Sequence, residues 1–142
     1  MPLLLVHAAA TLFMTGLIWF VQIVHYPLFA AVGADGFARY EQLHSARTTW
    51  VVMPVMLVEL ATAALLLWMA DAQTRSLARA GAALLAVIWL STFFLQVPRH
   101  SQLTAGFDPA AHAALVSTNW IRTLAWSARA VLALALLVRR GS

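Results

Sequence analysis

Cysteine and lysine are both absent from this chain of 142 residues, and asparagine occurs once. Without cysteine there are no disulfides, no thiolate metal ligands and no CxxC redox chemistry. Charge is scarce too. Asp, Glu, Lys and Arg make up 10% of the chain, where a soluble domain carries about 25%. All nine basic residues are arginines, set against five acids for a net charge of +4. They are scattered, several lie inside apolar runs, and no basic stripe is interleaved with aromatics, so nucleic acid is not an expected partner. Gly-x-Ser-x-Gly, His-Glu-x-x-His and P-loop patterns are missing, which removes the common hydrolase and nucleotide-binding signatures. No basic residue precedes the first apolar stretch, so that stretch lacks a signal-peptide n-region and is expected to be retained.

Hydrocarbon fills the chain instead: 63% of residues are hydrophobic, against roughly 45–50% in soluble domains. A membrane-spanning helix needs about 20 mostly apolar residues. Four segments qualify, from about Leu3 to His25, Thr49 to Ala70, Ala80 to Val97 and Thr118 to Val138. The expected fold is therefore all-α, an integral-membrane four-helix bundle forming one domain over residues 1–142. The breaks carry turn chemistry. Tyr26-Pro27 closes the first span, Gly33-Ala34-Asp35-Gly36 is a turn cluster, and Pro98 ends the third span. Residues 37–47 read as a short interfacial helix before span two. Asp108-Pro109 starts a short helical segment before span four, with Asp108 as N-cap and Pro109 at N1. Pro54 lies inside span two, which membrane helices tolerate.

Four spans put both termini on one side. That side carries Arg75, Arg79, Arg139 and Arg140; the other carries Arg39, Arg47 and Arg99. The positive-inside rule then predicts both termini inside and the long connections outside. The Ala, Leu and Arg bias without lysine suggests a GC-rich genome and a bacterial inner membrane.

Each span carries one polar stripe at helical spacing. Span one has His7, Thr11, Thr15, Gln22 and His25; span two has Glu59 and Thr62; span three has Thr92, Gln96 and His100; span four has Asn119, Arg122, Trp126 and Arg129. Polar groups face lipid only at high cost, so the stripes should face one another. Glu59 lies about 15 Å beyond Thr49 and Arg129 about 16 Å beyond Thr118, entering from the same side. Equal depth predicts a buried Glu59–Arg129 ion pair, either fixing register or serving as a proton relay or cavity floor.

Four of the five histidines gather at the outer end: His25, His44, His100 and His112. Glu41-Gln42-Leu43-His44 places a carboxylate and an imidazole on one helical face, a spacing that serves metal-binding bundles. Asp108 and His112 form a second acid–imidazole pair at i and i+4. Imidazole with carboxylate suits Fe, Zn, Cu or Mn, and the expected ligands of one or two ions are His25, Glu41, His44, His100 and His112. Tyr26 is the expected proton or electron donor, with Arg122 and Asn119 orienting substrate. His7, near the opposite end, reads as a helix-contact residue. A rival reading is haem held by His25 with His100 or His112, with Arg122 at a propionate. Another is a quinone site using His, Tyr26 and Trp120. The six tryptophans read mainly as interfacial anchors, with Trp50, Trp120 and Trp126 available to wall a pocket. The functional expectation is a membrane metalloprotein acting as an oxidoreductase on a small apolar substrate that enters from lipid. The alternatives are a haem or quinone-linked electron carrier, a small transporter and a membrane-complex subunit. Expected partners are the bilayer and that substrate, with a homo-oligomer left open.

Overall fold

The structure, a computed structural model, describes residues 1–141, with side chains through Arg139. Arg140, one of the four arginines counted at the termini side, lies outside the described side chains. Every regular element among the described residues is helical. The order is α1 (Pro2–Phe20), a π-helical turn (Val21–His25), a 3-10 turn (Pro27–Ala31), α2 (Ala34–Trp68), α3 (Arg75–Ser91), a second π turn (Thr92–Gln96), α4 (Val97–Leu103) and α5 (Pro109–Gly141). They form four helical runs long and apolar enough to cross a membrane: Pro2–Ala31, Ala34–Trp68, Arg75–Leu103 and Pro109–Arg139.

Several boundaries differ from the sequence expectation. Tyr26-Pro27 does not close the first run, which continues through the 3-10 turn to Ala31, and of the Gly33–Gly36 turn cluster Ala34, Asp35 and Gly36 already belong to α2. Residues 37–47 are not a separate interfacial helix but the first turns of a continuous α2 of 35 residues. Nothing between Gly36 and Pro54 breaks a helix, so the polar extension and the apolar span fuse into a rod about 52 Å long, longer than the roughly 30 Å of a hydrocarbon core. The segment after Pro109 likewise runs straight into α5. Pro98 does not end the third run, which continues through α4 to Leu103.

The π turns explain how the chain passes its prolines. A proline in a helix clashes with the carbonyl four residues back and lacks an N–H. Pro27 and Pro98 each come six residues after the start of a π turn. In both cases the residue just before the proline makes a wide i→i−5 bond: Tyr26 N–H to the Val21 carbonyl at 2.9 Å, and Val97 N–H to the Thr92 carbonyl. The widened turn gives the ring room and rotates the residues beyond it, as such bulges often do near functional sites. Gly33, with φ of 88°, makes the bend into α2 that a side chain would strain.

α5 packs between α1 and α3, α1 packs on α2, and α2 closes more loosely on α3 and α4. The main core joins Met14, Ile18, Phe29, Met56, Ile88 and Trp126 with their neighbours. A smaller cluster of Leu4, Leu66 and Leu136 closes the end that carries the termini. Large apolar side chains such as Phe13, Phe20, Ile23, Leu57, Phe94 and Leu124 face outward, while Thr11, Gln22, Glu59, Gln96, Asn119 and Arg129 are buried. That polarity, apolar outside and polar within, is the arrangement lipid favours and water does not.

Candidate metal centre and cavity

The cluster forms where the first and third runs end and the second and fourth begin. α2 supplies Glu41 and His44, one helical turn apart. The third run supplies His100 from α4, just past its π turn. The first run supplies His25 and Tyr26, at and just past the other π turn. One ligand atom from each of Glu41, His44 and His100 lies within 4.8 Å of the others. An ion with bonds of about 2.0–2.2 Å draws such donors closer together, a small side-chain adjustment.

The hydrogen bonds assign roles. His100 Nδ1 stands 2.6 Å from Glu41 Oε1, and its Nε2 stands 2.9 Å from the Tyr26 hydroxyl. A neutral His100 donating from Nδ1 therefore accepts from Tyr26, giving a carboxylate–imidazole–phenol line. Arg122 Nη2 donates to the same phenol oxygen at 3.2 Å. His44 Nδ1 faces His25 Nε2 at 2.9 Å and the Thr48 hydroxyl at 3.1 Å, which leaves His44 Nε2 outside that pair. Glu41 is fully buried. Its Oε1 also accepts from Ser45 at 2.9 Å, and its Oε2 has no hydrogen-bond partner. An unanswered carboxylate oxygen in the interior is costly unless a cation or proton meets it.

His25 joins the cluster through His44 rather than as one of the converging trio. His112 stands apart: its Nε2 donates to the Tyr26 carbonyl at 2.7 Å, and its ring stacks on Phe29. Asp108 is an N-cap, its Oδ1 accepting from the Ala110 and Ala111 N–H groups at 2.8 and 3.1 Å. Asn119 Nδ2 donates to Gln22 at 2.9 Å, and its Oδ1 accepts from Arg122 Nε at 2.9 Å, so it positions Arg122 and lies outside the cavity lining. Ser45 and Thr48, absent from the sequence expectation, come one turn after Glu41 and His44. That i+4 spacing is the signal that could have found them.

A cavity of about 430 Å³ opens beside the cluster. Tyr26, His44 and His100 line one end; Met14, Met53, Met56 and Trp126 line the other, with Arg122 and Thr92 on its wall. Along α2 it runs from Ser45 to Met56, about 16 Å at helical rise. Of its lining residues, Thr49 on α2 and Val97 and Ser101 on α4 are exposed and Ser45, Val52 and Thr104 half-buried, so the cavity opens toward the α2–α4 seam. Among the described residues, Trp126 is the only tryptophan on its wall. Trp50 is 82% exposed and Trp120 packs edge-on against Trp19.

Glu59 and Arg129 meet deeper in the bundle, Nη2 to Oε1 at 3.2 Å. Thr11 and Trp126 also donate to Glu59, each at 2.9 Å, and Arg129 donates to the Gly81 carbonyl. Trp126 separates this pair from the large cavity, so the cavity floor is an indole rather than an ion pair. His7 bonds Thr62 at 2.8 Å.

No family model matches the chain, and neither a characterised protein nor a solved structure is detectably similar to it.

Proposed function

We propose that the protein is a membrane-embedded metal-binding oxidoreductase whose transition-metal site is built on Glu41, His44 and His100 and opens onto a cavity for a small lipid-soluble substrate. The observation that carries this reading is the convergence of one carboxylate and two imidazoles from separate helical runs beside that cavity. The unpartnered Glu41 Oε2 supports it. A cation there would take the place of the proton shared between Glu41 and His100, so binding would release protons. His25 holds His44 from behind and fixes its tautomer, the role outer partners play at metal-ligating histidines. Tyr26, bonded to His100 and lining the cavity, is placed to pass a proton or electron between site and substrate. The donor set suits Fe, Zn, Cu or Mn; redox turnover requires one of the redox-active metals.

Haem fits less well. The bis-imidazole ligation expected of His25 with His100 or His112 needs two imidazole nitrogens facing each other across a flat ring. His25 turns its Nε2 to His44 and His112 turns its Nε2 to a backbone carbonyl. We place the protein in a bacterial inner membrane, termini inside, with the metal site at the outer end.

Metal analysis of protein purified without a histidine tag tests the reading. Stoichiometric metal is expected, largely lost in Glu41→Gln, His44→Ala and His100→Ala. His7→Ala should keep it, since His7 lies at the far end of the bundle. Wild-type protein that carries no metal, and whose melting temperature does not rise with added Fe, Zn, Cu or Mn, would falsify the site.

A further inference from the structure

Two buried arginines stand among the described residues of this bundle, and only one of them has an ionic partner. Arg129 meets Glu59. Arg122, 7% exposed, is surrounded by neutral acceptors: the Asn119 side-chain oxygen, Gln96 Oε1 at 3.3 Å, the Tyr26 hydroxyl and, at 3.4 Å, the Thr92 hydroxyl. The chain has five acids, and each is placed elsewhere. Glu59 is with Arg129, and Glu41 is with His100 and Ser45. Asp35 is exposed in the first turn of α2, Asp108 caps α5, and Asp71 accepts from Thr74 in the connection at the opposite end. A guanidinium in an apolar interior without a counter-ion is expensive. Its Nη1 makes only the long contact to Thr92, and both Thr92 and Arg122 line the cavity. The charge is thus unanswered on the side that faces open space.

We infer that this cavity binds a lipophilic monoanion, with a single oxyanion head on Arg122 and an apolar body against the cavity wall. A carboxylate suits the head, because guanidinium and carboxylate match in shape as well as charge. Met14, Met53, Met56, Val52 and Trp126 supply the apolar wall, and methionines adapt to varied shapes. The volume suits one alkyl chain or a small ring system. Entry through the α2–α4 seam matches a molecule that partitions at the bilayer interface. The inference deepens the functional reading by naming the substrate class. It rests on that reading for the bound molecule's role as substrate, though not for its binding.

The test is equilibrium binding of radiolabelled decanoate to the full-length protein in neutral detergent, with decanol and decyltrimethylammonium as competitors. Saturable binding is expected, with decanol competing at least tenfold more weakly than unlabelled decanoate and the cation not competing. Arg122→Gln should weaken binding by roughly tenfold to a hundredfold, the scale of a hydrogen bond to a charged group, with Arg122→Lys between. Met53→Trp, which fills the cavity and leaves the Arg122 network intact, should abolish binding and keeps the test valid if Arg122→Gln fails to fold. Equal competition by decanol and decanoate, or wild-type binding by Met53→Trp, overturns the inference. Glu41→Gln separates the two readings, because it should lose metal and keep decanoate. Decanoate binding by a protein that never takes up metal would sink the metal reading alone.

Discussion

A charge inside an apolar bundle persists only if something answers it, and Glu59 shows how completely a single carboxylate can be answered. It accepts from Thr11, Trp126 and Arg129, one group from α1 and two from α5. Removing either member of the ion pair leaves the other charge stranded. Glu59→Leu and Arg129→Leu should each destabilise by about 3–5 kcal/mol, whereas the double change to apolar residues should cost much less. Unfolding of the purified protein in mixed micelles reads this directly; two mild single mutants would show that the pair does not hold the bundle together. The pair was legible in the sequence because Glu59 and Arg129 lie at equal depth on entering from one side. Its separation from the cavity was not, because only packing places Trp126 between them. Among the histidines, helical spacing located the end of the bundle where they gather but not which of them converge with Glu41. His112 has the same local credentials as His44, and a long-range bond to the Tyr26 carbonyl decides its place.

At the scale of elements, sequence signals worked where they were local and failed where a partner was needed. Asp108 followed by Pro109 reads as a helix start, and Asp108 caps α5 through two backbone N–H groups. Asp108→Ala should therefore cost about 1 kcal/mol while leaving metal content unchanged. A loss of metal alongside the loss of stability would instead make Asp108 part of the site. Prolines gave the opposite lesson. Pro98 reads as a stop, yet the third run continues, because the π turn before it has already moved the carbonyl that the ring would strike. No residue pattern within Thr92–Gln96 announces a π turn; the proline six residues past its start is the only local trace. The consequence reaches the Glu41, His44 and His100 cluster. Without the extra residue in each turn, Tyr26 and His100 would sit at a different rotation on their helices, and their bond at 2.9 Å would not form.

For the whole molecule, the four apolar runs and the all-helical architecture are dictated by length and hydropathy, since few other folds bury backbone polarity in lipid. Orientation rests on a narrower basis. Arg75, Arg79, Arg139 and Arg140 stand at the termini end against Arg39, Arg47 and Arg99 at the other. Packing strengthens the first group as a single patch, because Arg139 bonds the Gln73 carbonyl at 3.0 Å and so ties the end of α5 to the second connection. Arginines near span ends resist translocation, so the richer end should remain in the cytoplasm. A fluorescent reporter fused after Ser142 is therefore expected to be active, and a phosphatase that works only outside the cytoplasm should be active when inserted at Gly106. The turn between α4 and α5 is the better insertion point, since residues 34–38 belong to the first turns of α2 and an insertion there would break a helix that carries Glu41 and His44. Activity of the reporters in the reverse pattern would place the Glu41, His44 and His100 cluster on the cytoplasmic side. The cavity would be unchanged, but the proposed metal and anion would then have to come from inside the cell.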